Sequence, residues 1–362
     1  MAELTRLLTD RADPARARIE TGPSLSAGPG EIVLAPDRFS LTTNNITYAV
    51  YGDAMRYWDF FPTGEAGWGH IPVWGFADIV ESRVDGLEAG DRFYGYFPIA
   101  SQVRMTPQRV SEHGFTDAAA HRAELPPAYN QYSRVSADPS YSPQRESYQA
   151  LYRPLFMTAF LLADFLTDAD AFGANRLILS SASSKTAYAT AYCLGGGRFE
   201  RIGLTSPRNA DYVAGLGCYE TVCRYEAVEP LAADRPVVYV DFSGNAGLRE
   251  RIHTHFGDSL KHDCVVGSTD NDGFAQVRDL PGPRPAFFFA PDRIRKRHAD
   301  WGAAEFNRRY QASEAGFLDH LDTADPAWVS VDTHAGFAGA QAVLADLAQN
   351  GGNPAVGHVI EL

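Results

Sequence analysis

The sequence predicts an α/β protein with two domains, a small barrel of antiparallel strands followed by a doubly wound parallel sheet. Three observations support this fold class. Residues 71–97 alternate strand-like runs with turns, which is typical of antiparallel strands. Short apolar runs then alternate with helical segments from residue 176 onward, which is typical of βαβ units. The 362 residues are enough for two domains with a sizeable core.

Composition and charge narrow the function classes. The formal net charge of -13 argues against nucleic-acid binding, which needs a basic face. The four cysteines form no CxxC pair and no zinc-type cluster with histidine, as expected for thiols in a reducing compartment. The first twenty residues have no secretory-signal pattern, and the apolar run Leu155–Leu166 is broken by Asp164. We therefore expect a cytoplasmic protein without a membrane or nucleic-acid partner.

The N-terminal part is expected to be rich in β-structure. Residues 31–41 and 44–52 carry β-branched and aromatic residues with turn signals between them. Residues 103–148 lose this periodicity and gain Pro, Ser, Tyr and Arg, so they form a long excursion that is either a lid over a site or a solvated surface loop. A helix over residues 151–170 then leads to the first strand of the parallel sheet.

A serine-rich turn organises the second domain. Leu177–Leu179 predicts a buried strand, Ser180–Thr186 a turn of small residues and Ala187–Leu194 a helix, and Ile202–Leu204 predicts the next strand. This order is the one that places a dinucleotide's pyrophosphate on a helix N-terminus. The turn is not Gly-x-Gly-x-x-Gly, but small residues permit close approach and Lys185 adds a charge. The alternative is a serine-rich helix cap with no ligand.

The end of the second strand distinguishes between the two nicotinamide cofactors. NAD sites carry Asp or Glu there for the ribose 2′-hydroxyl, whereas this chain has Thr205-Ser206-Pro207-Arg208. A guanidinium suits a 2′-phosphate because its donors fork onto phosphate oxygens, so the sequence predicts NADP(H). The alternative is that Arg208 is an ordinary loop arginine.

The α/β alternation continues to the C-terminus. In order, the sequence predicts strands at residues 218–228, 236–241, 264–267 and 286–290, a charged helical region at 293–320, a strand at 328–331, a helix at 338–347 and a strand at 358–362, with a further helix at 246–256.

Several stretches together resemble the medium-chain dehydrogenase/reductase superfamily, in its zinc-free quinone/enoyl reductase branch. They are Gly90-Asp91-Arg92-Phe93 (a Gly-Asp-Arg-Val-type turn), Phe156–Leu166 (a Gly-Leu-Thr-Ala helix), residues 177–187 (a Val-Thr-Gly-Ala-x-Gly-Gly-Val-Gly turn), residues 241–245 and 265–270 (loops that border the nicotinamide) and residues 357–362 (a closing strand). The turn resembles more closely an uncharacterised bacterial family grouped as DUF2855.

The resemblance implies a GroES-like β-barrel domain plus a Rossmann doubly wound parallel sheet domain. The implied boundaries are residues 1–150 for the GroES-like substrate domain, 151–290 for the NADP-binding domain and 291–362 for a return that completes the catalytic domain. That family pairs Rossmann sheet edges, which suggests a homodimer.

The resemblance also implies which residues face the cofactor and the substrate. Those for the pyrophosphate are Ser181, Ser183, Ser184, Lys185 and Thr186; those for the 2′-phosphate side are Ser206, Arg208 and Tyr225; those for the nicotinamide are Thr158, Ser243, Ser268 and Phe289; those for the substrate are Asn45 and Tyr48.

Zinc chemistry is not expected from these residues. No cysteine precedes Cys193, and the position that resembles Gly-His-Glu reads Trp74-Gly75-Phe76. His253, His255 and His262 lack a carboxylate partner at ligand spacing, so we assign no metal site.

A zinc-free nicotinamide reductase must hold the reacting carbons together and stabilise negative charge on the substrate oxygen. Tyr48 is the best candidate proton donor, with Asn45 beside it and Tyr51 or Tyr57 as substitutes. The alternative for each tyrosine is packing with a tied hydroxyl. We expect NADPH-dependent reduction of an activated C=C bond (enone or enoyl) or of a quinone, with an apolar small-molecule substrate. A catalytically silent NADPH-binding sensor or structural protein and a carbonyl reductase are the alternatives.

Overall fold

The computed structural model describes residues 3–267 and 280–362. The chain divides into two compact units, which we call the antiparallel unit (Met1–Arg153 with Ser330–Leu362) and the parallel unit (Pro154–Val329). The strands of the described residues are β1 (Leu4–Asp10), β2 (Ala17–Gly22), β3 (Ile32–Leu41), β4 (Trp68–Gly69), β5 (Pro72–Ser82), β6 (Arg92–Pro98), β7 (Val103–Met105), β8 (Pro107–Ser111), β9 (Gly114–Asp117), β10 (Gln131–Arg134), β11 (Arg176–Leu179), β12 (Glu200–Thr205), β13 (Thr221–Arg224), β14 (Val237–Asp241), β15 (Leu260–Val265), β16 (Ala286–Phe287), β17 (Ser330–Ala335) and β18 (Val356–Glu361). The α-helices are α1 (Thr43–Val50), α2 (Glu146–Asp168), α3 (Lys185–Cys193), α4 (Ala210–Gly215), α5 (Ala246–Phe256), α6 (Ala290–Trp301), α7 (Ala303–Thr323) and α8 (Gly336–Asn350).

The antiparallel unit is built on a long mixed sheet with the order β17-β18-β3-β5-β6-β10-β9-β8, and β7 also pairs with β3. A small sheet, β2-β1-β4, lies in the same unit. The C-terminal strand β18 pairs antiparallel with β3, as expected for a chain end that returns to the first domain. The core between the strands and α8 is apolar and includes Phe39, Phe93, Phe97 and Leu344.

The structure corrects the sequence prediction at residues 44–52, which form the helix α1 instead of a strand. Thr42 caps this helix, because its hydroxyl accepts a hydrogen bond from the amide of Asn44 and its own amide donates to Asn45 Oδ1. The buried residues Asn45, Tyr48 and Ala49 have helical spacing and face the core, which overrides the β propensity of the segment.

The excursion at residues 103–148 is largely part of the long sheet. It contributes β7, β8, β9 and β10, and β10 pairs with both β6 and β9. The alternation that would mark these strands in the sequence is weak because each is short, three to five residues.

Over its described residues, the parallel unit has one sheet with the order β13-β12-β11-β14-β15-β16, and every pairing in it is parallel. β11 is the first strand of this sheet in the chain, and the strand order runs outward from it in both directions. Such a reversal, between β11 and β14, marks the edge at which α/β sheets bind ligands, beyond the carboxyl ends of the strands. β14 is buried along its whole length, as its continuous apolar run predicts.

Helix α2 is longer than predicted and begins at Glu146 rather than residue 151. With the turn before it, Pro143–Asp168 is 26 residues long and apolar enough to cross a membrane by length and composition alone. Half of its most apolar window is buried inside the protein, and Phe156, Leu162 and Leu166 are fully buried. The core helix of a globular domain has the same properties.

The helices α6 and α7 occupy the predicted charged region, and they lie in the parallel unit. This differs from the expected boundary at residue 291, because the second unit extends to Val329. Aromatic packing explains the difference, since Phe317 of α7 stacks on Phe156 of α2 with ring centroids 4.8 Å apart.

Candidate functional site

The turn after β11 is compact although it contains no glycine. Ser181 adopts a φ of 47°, in the left-handed region that glycine usually occupies. The amide of Ser184 donates to the carbonyl of Ser181 at 2.7 Å, which closes the turn. Ser184 then caps α3, because its hydroxyl accepts from the amide of Ala187 at 3.3 Å.

A glycine in the neighbouring strand supplies the close approach that this turn needs. The amide of Ala182 donates to the carbonyl of Leu204 at 2.9 Å, so the turn lies directly against β12. A Cβ atom on Gly203 would lie 3.0 Å from the Cβ of Ala182 and 3.0 Å from the ring of Tyr219. In a glycine-rich turn, the turn's own glycines allow close approach to the neighbouring strand. Here Gly203 of that strand allows it, because it has no Cβ atom to contact Ala182.

A buried carboxylate joins this turn to the loop after β14. Asp241 Oδ1 accepts hydrogen bonds from the Ser180 hydroxyl at 2.8 Å and the Ser243 hydroxyl at 2.8 Å. It also accepts from the Tyr239 hydroxyl and from the amides of Ser243 and Gly244. The Ser180 hydroxyl in turn accepts from the amides of Phe242 and Ser243. The two loops are therefore held as one hydrogen-bonded unit, which we call the Ser180–Asp241 knot.

Charged side chains beneath the knot balance its carboxylate. Arg249 of α5 contacts Asp241 Oδ2 and lies 3.0 Å from Asp263 Oδ2 through its Nε. His253 Nε2 faces the same Asp263 oxygen at 2.8 Å, and its Nδ1 donates to the carbonyl of Pro281 at 2.7 Å. All four side chains are buried. A buried carboxylate is tolerated only when paired in this way, so Arg249 is required for the knot.

The knot brings several of the predicted cofactor residues to one edge of the sheet. The Tyr225 hydroxyl, which follows β13, accepts from the amide of Ser181 at 3.1 Å. The side-chain amide of Asn209, which follows β12, donates to the Ser183 hydroxyl at 3.1 Å. Residues after β11, β12, β13 and β14 thus meet at the carboxyl edge, where the sequence placed the pyrophosphate.

Two arginines stand at the ends of β12 and β13. Arg208 lies in the turn Pro207–Asn209, and Arg224 ends β13 opposite Thr205. Both are exposed, and within the described residues neither forms an ion pair. The sequence analysis missed Arg224, which could have been found as the last residue of the third strand. Thr205 is buried, and its hydroxyl has no hydrogen-bond partner among the described residues.

Lys185 and Thr186 open α3 and are half-buried, as is Ser206 at the start of the Pro207–Asn209 turn. Burial lowers the pKa of Lys185 to about 8, because the ammonium group loses hydration there. The lysine is therefore charged below this pH and neutral above it.

The predicted nicotinamide residues are spread over several elements. Thr158 is half-buried on α2, and the hydroxyl of Ser243 is engaged by Asp241. Phe289 precedes α6, is 48% exposed and lines a cavity of about 400 Å³ with Phe165 and His262. Ser268 lies outside the described residues.

On the predicted substrate side, Tyr48 and Asn45 lie on α1 in the antiparallel unit. The Tyr48 hydroxyl accepts a hydrogen bond from Trp74 Nε1 at 3.2 Å, and burial raises its pKa well above the usual value. The side-chain amide nitrogen of Asn45 donates to the carbonyl of Pro72 at 2.9 Å, and its side-chain oxygen accepts from the backbone amide of Thr42. This geometry favours a capping role for Asn45 over the predicted role of substrate donor.

Tyr48 belongs to a larger aromatic cluster, which includes Tyr57 and Phe60 of the aromatic stretch at residues 57–62. We call it the aromatic cage, and its rings are Tyr48, Tyr57, Phe60, Trp74, Tyr96 and Tyr129. Trp74 and Tyr96 are cross-strand partners on β5 and β6. Trp74 opens the Trp74-Gly75-Phe76 stretch that was compared with Gly-His-Glu, and its indole donates to the Tyr48 hydroxyl.

Over residues 3–267 and 280–362, no group of three or more His, Cys, Asp or Glu side chains is arranged to hold a metal ion. The histidines named above have other contacts. His255 is bonded to the carbonyl of Leu231, and His262 stacks on Phe172 with ring centroids 4.0 Å apart.

The Ser180–Asp241 knot gives a direct prediction. Ser180→Ala removes a donor from Asp241 and an acceptor from two buried amides, so we expect it to lower the free energy of unfolding by about 1–3 kcal/mol. Ser183→Ala is the matched control, because among the described residues its hydroxyl accepts only from the half-exposed Asn209. Urea unfolding of both variants measures the difference, and equal losses would show that the knot adds nothing.

Solved structures that resemble this chain over nearly its whole length include the following three. CurA from Vibrio vulnificus in complex with NADPH is 12% identical, with 99% of this chain and 98% of that chain covered and a TM-score of 0.61. The yhdH oxidoreductase from Salmonella enterica in complex with NADP is 13% identical, with 99% of each chain covered and a TM-score of 0.55. The quinone oxidoreductase from Coxiella burnetii is 15% identical, with 100% of each chain covered and a TM-score of 0.54.

These likenesses confirm the predicted fold, a GroES-like β-barrel domain plus a Rossmann domain. No curated protein matches the chain. A family match covers residues 39–353. Because this is most of the chain, the protein belongs to the family described as Protein of unknown function (DUF2855).

Proposed function

We propose that the protein is an NADPH-dependent oxidoreductase that reduces an activated C=C bond of an enone or enoyl compound, or a quinone, by hydride transfer without a metal. CurA and the yhdH oxidoreductase, whose fold the chain shares, were solved with NADPH and NADP. The proposal for this chain rests on its own residues at the carboxyl edge of the parallel sheet.

The residues at that edge fit a phosphorylated dinucleotide. The turn after β11 leads into the N-terminus of α3, where backbone amides favour phosphate. Lys185 adds a positive charge, and the buried hydroxyl of Thr205 lacks a partner at the position where an NAD site carries a carboxylate. A hydroxyl there does not repel a 2′-phosphate, whereas a carboxylate does.

The exposed pair Arg208 and Arg224 is the reason why we propose NADPH rather than NADH. Arg208 and Arg224 follow neighbouring strands, and neither is engaged by a carboxylate of the described chain. The 2′-phosphate of NADPH, about doubly ionised at neutral pH, is the group that two such forks recognise. NADH lacks this phosphate.

NADPH, when bound, supplies the hydride and is the reductant. The chain's own residues orient it through the knot and bind its phosphates through Lys185 and the arginine pair. In the antiparallel unit, the high pKa of Tyr48 keeps its hydroxyl protonated and thus a neutral donor to a substrate oxygen.

We also propose that the protein forms a homodimer and is cytoplasmic. The edge strand β16 supports the former, because Phe287 is 59% exposed there and the ring of Phe289 lies beside it.

Cofactor selectivity can be tested at the two arginines. Arg208→Ala and Arg224→Ala should each raise the NADPH dissociation constant about tenfold or more and leave that of NADH nearly unchanged, because one charge-assisted pair is lost. Titration of the purified variants, followed by nicotinamide fluorescence, measures both constants. Arg235→Ala is the control, since Arg235 precedes β14 at the opposite edge and pairs with Glu200 at 3.2 Å. Equal losses for both cofactors would remove the arginines from the 2′-phosphate site.

The pKa of Lys185 predicts a pH dependence. Because this pKa is lowered to about 8, the ammonium charge is lost as the pH rises through that value. The NADPH dissociation constant should therefore rise about tenfold between about pH 7 and about pH 9.5.

Lys185→Arg should make NADPH affinity nearly independent of pH over the same range, because a guanidinium stays charged. Lys185→Met should bind weakly at every pH. A wild-type affinity that is flat across the range would place Lys185 away from phosphate.

The reaction itself is tested by NADPH consumption in the presence of cyclohexenone, menadione or benzaldehyde. Tyr48→Phe should lower turnover about a hundredfold and leave NADPH affinity unchanged, because it removes only the hydroxyl. Tyr51→Phe is the comparison, and a larger loss there would transfer the role to Tyr51. Consumption with benzaldehyde alone would favour a carbonyl reductase, and NADPH binding without consumption would favour a silent NADPH-binding protein.

A further inference from the structure

The cavity that Phe289 lines lies wholly within the parallel unit, and we call it the edge cavity. Its walls come from the C-terminal end of α2, from the neighbouring strands β15 and β16 and from the start of α6. Among the described residues that line it, none belongs to the serine-rich turn, to the Ser180–Asp241 knot or to the arginine pair. The edge cavity is therefore separate from the residues to which we assign the phosphates of the cofactor.

Aromatic side chains form much of the wall of the edge cavity. The rings of Phe165 and Phe288 have centroids 5.6 Å apart, and Phe288 is buried. Phe287 and Phe289 are exposed, and their rings lie 6.4 Å apart and 29° from parallel. Exposed aromatic side chains beside an apolar cavity are typical of a surface that binds another molecule.

The volume of the edge cavity sets the size of its ligand. It is about 400 Å³, within the range of about 300–1,000 Å³ that small-molecule sites have. An apolar cavity of about 150 Å³ is already large enough to bind benzene. The edge cavity therefore has space for a compound of about two fused rings.

His262 is the polar group of the wall that is left to contact a ligand. Its ring stacks on Phe172 with centroids 4.0 Å apart, which holds the plane of the imidazole. Within the described part of the chain, neither ring nitrogen has a hydrogen-bond partner. Burial lowers the pKa of His262, so its imidazole is neutral at neutral pH and offers one donor and one acceptor.

The charged side chains of the wall are already paired. Asp168 Oδ2 lies 2.9 Å from Arg293 Nη1 and 3.4 Å from Lys296 Nζ, and Asp292 forms an ion pair with Arg295. A charged ligand would have to compete with these pairs and lose its hydration, whereas an uncharged ligand would leave them intact. The walls therefore favour an uncharged compound.

We propose that the edge cavity binds an uncharged aromatic compound of about two rings that carries a hydroxyl group, and that His262 accepts the hydrogen bond from this hydroxyl. The rings of the compound bury apolar surface against the phenylalanines of the wall. Cys264 adds a further apolar contact, because burial raises the pKa of its thiol and keeps it protonated. This is a second site beside the proposed cofactor site, and it does not depend on whether the protein is a reductase.

Three probes built on naphthalene test the proposal in the full chain without NADPH. 2-Naphthol carries the hydroxyl, naphthalene lacks it, and 2-naphthoate is ionised at about pH 7.5. Equilibrium dialysis gives the three dissociation constants. We expect 2-naphthol to bind about tenfold more tightly than naphthalene, and 2-naphthoate to bind more weakly than either. Equal affinities for 2-naphthol and naphthalene, or tighter binding of 2-naphthoate, overturn the proposal.

Substitution of the histidine separates hydrogen bonding from packing. His262→Phe keeps a flat ring against Phe172 and removes both nitrogens, so 2-naphthol should lose its advantage while naphthalene binding is unchanged. His255→Phe is the matched control, because His255 is also half-buried in the parallel unit but contacts the carbonyl of Leu231 and does not line the cavity. The control should keep the ratio between the probes, and a ratio that survives in His262→Phe overturns the role of His262.

A substitution on the edge strand locates the bound probe. Ala286 is exposed on β16 and lines the cavity, so Ala286→Trp should fill the space and weaken both 2-naphthol and naphthalene about tenfold or more. Unchanged binding would place the probes elsewhere and would contradict the proposal. The comparison of probes in the wild type decides even if a variant does not fold.

A second copy of the chain is the other occupant that the experiment distinguishes, because Phe287 and Phe289 are exposed at the same edge of the sheet. The dialysis is therefore repeated at two protein concentrations about tenfold apart, with the oligomeric state measured by light scattering. An affinity for 2-naphthol that is the same at both concentrations supports the proposal. An affinity that falls as a dimer forms shows that a second copy fills the cavity, and overturns it.

Discussion

The Asp241 carboxylate is the group on which the rest of the candidate cofactor site depends. It is fully buried at the end of β14, and one of its oxygens accepts from the hydroxyls and amides that shape two loops. Arg249 balances its charge and is itself shared with Asp263. A glycine-rich turn obtains its shape from backbone freedom, whereas this turn obtains it from side-chain hydrogen bonds around a buried charge. Buried ion pairs contribute little net stability, but they oppose alternative arrangements because an unpaired member is so costly.

The parallel sheet was predictable because its strands are continuous apolar runs separated by turns and helices, a pattern that depends only on near neighbours. The knot was not predictable to the same extent. Asp241 and Asp263 end or interrupt apolar strands, and their partners are set by sheet order rather than by spacing in the chain. Of the predicted cofactor residues, Ser181 contacts Tyr225, and Ser183 contacts Asn209, while their roles toward a cofactor stay predictions. Arg224 was missed because the predicted strand at 218–228 runs past it, whereas the observed strand ends at Arg224.

The antiparallel unit was harder to predict for two physical reasons. In α1, a capping residue and three buried side chains at helical spacing outweighed the β-branched and aromatic composition on which a strand was predicted. The aromatic cage joins residues 48, 57, 96 and 129, and only the folded sheet shows that they meet. Asn45 illustrates the same limit, because its identity suits either a substrate contact or a helix cap and only its neighbours decide.

The acidic character of the chain makes the unpaired arginines Arg208 and Arg224 unusual. In a chain of net charge -13, many arginines form ion pairs with carboxylates, as Arg201 does with Glu220 and Arg251 with Glu229. An exposed guanidinium that stays unpaired in such surroundings creates a local positive potential against an acidic background. This potential lies at the end of β12, where a carboxylate would repel the phosphate of a phosphorylated ribose. Selectivity for that ribose therefore needs both the absence of a carboxylate and the presence of unpaired arginines. In the function that we propose, Thr205 avoids the repulsion, and Arg208 with Arg224 supplies the attraction.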